Sequence, residues 1–124
     1  MIEIFAGAAV LCSVAKQLGM KNSIAVDQVK KQNARSTISQ LDLLSGRDRQ
    51  LLEQWMLSGL LLWIHLAPVC GTASRARGIR RFHNDPKPLR SEDLPEGLPG
   101  LTPKELERVS LANRLFEAAC DFFL

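Results

Sequence analysis

Residues 60–66, Leu-Leu-Leu-Trp-Ile-His-Leu, are apolar at every position except His65, and they run directly into Ala67-Pro68-Val69-Cys70-Gly71. Seven such residues have the length and texture of a strand buried on both faces. A strand of that kind belongs in a parallel sheet with helices on its faces. In an open α/β sheet, ligands bind beyond the carboxyl ends of the strands, so this ordering places Cys70 at a binding rim. A buried strand ending in a turn with an inert thiol accounts for the same residues.

At 124 residues the chain is one domain, large enough for a single core but small for a complete α/β enzyme. Cys12, Cys70 and Cys120 are odd in number and widely spaced, with no Cys-x-x-Cys pair. This favours free thiols in a reducing compartment over a disulfide framework or a metal site. No basic, apolar leader opens the sequence, and no apolar run approaches membrane-spanning length. The expectation is a soluble intracellular protein, cytoplasmic or nuclear, with no membrane partner. A net charge of +3 is mild, and its distribution along the chain is more informative.

Ahead of the apolar run, strand and helix patterns alternate. Ile2-Glu3-Ile4-Phe5 reads as a strand that breaks at Ala6-Gly7-Ala8-Ala9. Val10, Leu11, Val14, Ala15 and Leu18 then recur at helical spacing up to Gly19. A turn of small residues between strand and helix lets a ligand approach backbone N–H groups, and it equally serves tight strand–helix packing. Gly7 alone is too little for the dinucleotide fingerprint. Ser23 to Asp27 is a second strand, whose terminal acid suits the hydroxyls of a ribose or the cap of a following helix. A short helix is expected over Gln28 to Ser36 and a third strand over Thr37 to Leu43, which contains Asp42. Ser45-x-x-Asp48 reads as a capping box for a helix with Leu51, Leu52, Trp55 and Met56 on its apolar face, stopped by Gly59. This alternation implies a parallel sheet with right-handed crossovers.

From Gly71 to Gly100 the texture is that of a long loop carrying Pro86, Pro88, Pro95 and Pro99. It holds Arg75, Arg77, Arg80, Arg81, His83, Lys87 and Arg90, with Asp85 the one acid before Glu92. Such a run is either solvated surface or a clamp for nucleic-acid phosphates. Thr102-Pro103-Lys104-Glu105 then opens a helix, with an N-cap, a proline at the first helical position and an acid at the third. Its apolar face comprises Leu106, Val109, Ala112, Phe116, Ala119 and Phe123. The alternating pattern calls for a further strand after this helix.

Taken together, these strand ends resemble the amino-terminal half of the cytosine-5 DNA methyltransferases. Glu3-Ile4-Phe5-Ala6-Gly7-Ala8 is similar to the family's first motif, and Asp27 stands where its ribose-binding acid falls. Leu41-Asp42-Leu43 is similar to the motif whose Asp reads the adenine amino group. Pro68-Val69-Cys70 resembles the Pro-Pro-Cys loop of the nucleophile, with Ala73-Ser74 in place of Phe-Ser. The likeness covers most of Ile2 to Ser74 and, more loosely, the helix ending at Phe123. It departs from the family at Ala9 or Val10 for a paired glycine, at Val69 for a proline and at Gly71 for a glutamine.

The resemblance implies an α/β, Rossmann-like class I methyltransferase fold with a partial parallel sheet and flanking helices. Residues 1–66 would bind S-adenosylmethionine through Phe5, Gly7, Asp27, Asp42 and Pro68; residues 67–101 would carry the nucleophile and the basic loop; residues 102–124 would form a packing helix. Cys70 would be the catalytic thiolate, adding to carbon 6 of a flipped-out cytosine so that carbon 5 can accept the methyl group. Arg75, Arg77, Arg80 and Arg81 would meet DNA, and positive charge near the thiol would favour its ionisation. The family's assisting Glu and its target-recognition region have no counterpart in this sequence. The expectation is therefore a fragment of a longer enzyme, inactive by itself and prone to self-association through an exposed strand edge. The alternative is a non-catalytic nucleic-acid- or protein-binding module that keeps the cofactor fold.

Overall fold

The computed structural model describes residues 1–79 and 82–122. It is an α/β structure whose four strands are β1 (Ile2–Ile4), β2 (Ile24–Asp27), β3 (Ile38–Gln40) and β4 (Ile64–Leu66). Among the described residues the α-helices are α1 (Val10–Gln17), α2 (Gly46–Leu57) and α3 (Pro103–Cys120), and a 3-10 turn spans Arg75–Gly78. All strand pairs are parallel, in the order β3-β2-β1-β4. The chain forms two compact units: a sheet unit of Met1–Pro68 with the stretch from Ala118 onward, and a second unit, Val69–Glu117. Among the described residues no helix is long and apolar enough to cross a membrane.

In the sheet unit β1 is central and fully buried, with Ile2 paired to Ile24 on one side and Ile64 on the other. Side chains alternate along a strand, so Glu3 faces opposite Ile2 and Ile4. The cluster that includes Cys12 and Ala15 of α1, Ala25 of β2 and Ile38 of β3 forms a core with Met1, Ala6 and Ala9. Small residues here bring α1 close to the sheet. Gly19, at φ 99°, ends α1 by donating to the Lys16 carbonyl, and Met20 N–H bonds the Ala15 carbonyl.

Several sequence expectations are corrected. No helix forms over 28–36; the segment is a series of turns. It has no apolar face to bury, and helix stability in proteins comes mainly from such a face. The 60–66 run forms a strand only from Ile64, because its partner β1 begins at Ile2 and offers three residues. The three residues of β4 are half-buried rather than buried on both faces, and Leu60 and Leu62 are 84% and 92% exposed. The third strand stops at Gln40, well short of Leu43, because Asp42 turns the chain: its N–H goes to Asp48 Oδ2 and its Oδ1 accepts from Leu44 N–H. Ser45 caps α2 through a long 3.5 Å bond from Asp48 N–H, but the Asp48 carboxylate serves Asp42 instead of completing a box.

In the second unit, α3 opens with the reciprocal cap expected from Thr102 and Glu105. Thr102 N–H and O–H donate to Glu105 Oε2 at 2.9 and 2.7 Å, and Glu105 N–H returns to Thr102 Oγ1. Leu106 does not belong to the helix's buried face, being 57% exposed. Val109, Ala112 and Leu115 are buried, and Phe116 is half-buried. Phe123 lies outside the described residues.

Candidate functional site

β2 lies on one side of β1 and β4 on the other, so the chain order reverses between β1 and β4: the crossover from β1 leads to β2, and the one from β3 leads past β1 to β4. The crevice at the carboxyl ends of β1 and β4 is a topological switch point, where open α/β sheets bind ligands. Ala67 N–H bonds the Ile4 carbonyl at 3.2 Å and holds the two strand ends together. Phe5 and Pro68, both half-buried, continue from them.

The β1–α1 turn has left-handed backbone at Phe5 (φ 61°), Gly7 (φ 56°) and Ala9 (φ 52°). Glycine accepts that conformation freely, whereas a residue with a Cβ bears a cost of about 1–2 kcal/mol. Strain of this kind gathers where a backbone is held in one shape for a ligand. Two acids hold it. Asp27 Oδ2 accepts from Gly7 N–H at 2.7 Å, and its Oδ1 accepts from Val29 N–H at 3.2 Å. Buried Glu3 accepts from Cys12 N–H at 2.7 Å, in the first turn of α1. Ala9, the N-cap residue, has no side-chain cap to offer, so the Glu3 carboxylate supplies one from β1 and also favours the helix amino end. Asp27 was expected to meet a ribose or cap a following helix. No helix follows it, and its nearest work is to close the turn.

Beside this turn lies an open cavity of about 520 Å³ whose lining includes Lys30, Lys31, Gln32, Arg35 and Ser36. The segment is tied down at several points. Arg35 N–H donates to the Ala8 carbonyl at 2.7 Å, Ala34 N–H donates to Lys31, and Lys16 Nζ bonds Ser36 Oγ at 3.0 Å. Lys31 Nζ lies 3.9 Å from where a Cβ on Gly7 would stand. The short helix expected over Gln28 to Ser36 stands in the place of this basic cradle. Its signal was the acid-free span from Asp27 to Asp42, which carries three cations.

In the second unit, Cys70 is exposed and free, and its carbonyl accepts from Ala73 and Ser74 N–H, turning the chain sharply after the thiol. Of the arginines expected to meet DNA, the two described ones, Arg75 and Arg77, are engaged within their own unit. Arg77 donates to the carbonyls of Gly71 and Lys87, each at 3.1 Å. Arg90 donates twice to buried Thr72 Oγ1 and once each to the carbonyls of Val109 and Pro95. Arg75 pairs with Glu92 at 3.5 Å, both almost fully exposed. Arg80 and Arg81 lie outside the described residues. A cavity of about 450 Å³ is lined by Thr72, Arg77, Leu89 and Arg90 among others. Among the described residues, no group of three His, Cys, Asp or Glu side chains is arranged to hold a metal.

No family model matches the chain, and comparison with curated proteins and with solved structures gives no match either.

Proposed function

We propose that the chain is a methyltransferase-like domain of the cytosine-5 DNA type, on a Rossmann-like fold that uses S-adenosylmethionine. The observation that supports this reading best is the all-parallel order β3-β2-β1-β4, with a strained turn after β1, an acid at the end of β2 and another just after β3. The Pro68-Val69-Cys70 sequence then follows β4.

The residues fit the cofactor at three points. Ala9, one of the two residues that stand for the family's paired glycine (Ala9 or Val10), takes the left-handed backbone that glycine takes freely. Asp27 spends one lone pair of each oxygen on Gly7 and Val29, and a carboxylate has about four such sites, leaving acceptors for ribose hydroxyls. Asp42 uses Oδ1 for Leu44 N–H, and its Oδ2 takes no bond among the described residues, leaving it for an adenine amino group. The cofactor, when bound, supplies an activated methyl group. Cys70, exposed in its turn, is the nucleophile of this reading, adding as a thiolate to the base. Among the described residues β4 pairs with no strand but β1, and self-association through its outer edge accompanies the reading.

The test is isothermal titration of S-adenosylmethionine and its demethylated product into the folded chain. Weak binding is expected, and Asp42→Asn should lower affinity roughly three- to tenfold by removing one acceptor. No heat and no thermal shift at millimolar ligand would remove the cofactor from the account. The departures at Val69 and Gly71 favour the second reading, a non-catalytic binding module on the same fold, which would then stand.

A further inference from the structure

We infer that the cradle formed by Lys30, Lys31 and Arg35 is a binding site for the phosphodiester backbone of a nucleic acid, separate from the arginine-rich loop. The inference does not rest on methyl transfer.

Its first support is unspent charge. Among the described residues, no carboxylate lies within 4.0 Å of Lys16, Lys30, Lys31 or Arg35, and the ion pairs of the chain lie elsewhere. The acid nearest in sequence, Asp27, turns its oxygens to Gly7 and Val29 N–H. Cations without carboxylate partners are available to neutralise phosphates, and the release of the cations condensed on a nucleic acid as they do so is the main source of its sequence-independent affinity.

The second support is anchoring. Arg35 is joined through its backbone to Ala8, and Ser36 takes a hydrogen bond from Lys16, so the segment that carries the cations is attached to α1 and its turn. Ser36 and Thr37 add hydroxyl donors of the kind that bind phosphate oxygens.

The third is the chemistry of the lining. The cavity is open, and Ala34 is its one apolar residue. A mononucleotide pocket needs a broad apolar or aromatic surface against which the base is buried, and this one has no aromatic residue and a single alanine in its lining. Phosphates arriving along a continuous backbone require no such surface.

The experiment is fluorescence anisotropy with a labelled duplex DNA and the full chain, titrated at several salt concentrations. The variant Lys30→Gln/Lys31→Gln/Arg35→Gln should lose roughly ten- to hundredfold in affinity at low salt. The slope of log affinity against log salt should flatten by about two to three units. Lys104→Gln, which removes one exposed charge from α3, should leave both nearly unchanged. Lys30→Arg/Lys31→Arg, which keeps the charge, should bind like the parent, and a thermal melt of the triple variant matching the parent's shows that its loss of binding is not a loss of folding. Failure of the parent chain to bind duplex, or an unchanged affinity and slope in the triple variant, would overturn the inference. So would equal competition by adenosine monophosphate or inorganic phosphate, which would mark a small-anion site. The cofactor titration is read separately, so either conclusion can fail without the other.

Discussion

Two basic segments look alike in the sequence and behave differently in the fold. Residues 28–37 carry three cations and no acid, and their charged groups find no carboxylate among the described residues. Residues 75–90 are richer in arginine, yet Arg77 and Arg90 direct their guanidinium groups at backbone carbonyls and a buried threonine of their own unit. The second segment uses charge to build a loop that has few apolar side chains to bury, with Leu89 its fully buried one. The first is held by backbone bonds and leaves its charge for solution. A run of positive residues therefore indicates a ligand only after its hydrogen bonds have been traced.

The largest effect expected from this contrast is at Arg90. Arg90→Ala removes four hydrogen bonds and strands the buried Thr72 hydroxyl. Chemical denaturation should show a loss of roughly 2–4 kcal/mol, while Arg35→Ala should stay within about 0.5 kcal/mol of the parent, as surface substitutions do. Equal losses at the two positions would break the distinction. Arg77→Ala, which frees the exposed-side carbonyls of Gly71 and Lys87 to meet water, should cost less, about 1 kcal/mol. Protease nicking of the 71–87 loop should rise with it; unchanged nicking would show that Arg77 does not hold the loop.

The smallest effect concerns pH. Donation by Thr102 N–H and then Thr102 O–H, helped by Lys87 at 3.3 Å, holds the Glu105 carboxyl below the ordinary glutamate range. A carboxyl depressed in the folded state binds its proton more readily when unfolded. It therefore stabilises the fold above the unfolded value, and that contribution is lost as pH falls through the folded one. Thermal melts through the acid range should thus show a slightly steeper fall for the parent than for Glu105→Gln. A parallel fall in both would assign the acid sensitivity to other groups. The cradle contributes no carboxylate to this titration.

Local chemistry made much of the chain legible. Thr102 and Glu105 announced the start of α3 and Gly19 and Gly59 the ends of α1 and α2, because capping acts within a few residues. The spacing of Val10 to Leu18 announced α1 but not its face: Val10, Val14 and Leu18 are exposed, and Cys12 and Ala15 are buried. The parallel α/β class followed from alternation alone. Strand lengths were another matter. The 60–66 run is trimmed to Ile64–Leu66 by the shortness of β1, a partner some sixty positions distant that local pattern cannot weigh.

The same division runs through the candidate site. The residue pattern places Asp27 and Asp42 at or near strand ends and Cys70 just after a strand, while Glu3 reads only as a residue within the first strand. Their hydrogen bonds depended on the tertiary structure: Asp27 reaches back twenty residues to Gly7, and Glu3 reaches forward nine to Cys12. Which cations are consumed and which remain was likewise settled in three dimensions. Residue type determines that a side chain can donate, accept or carry charge, but whether that capacity is spent depends on which groups folding brings within about 3 Å of it.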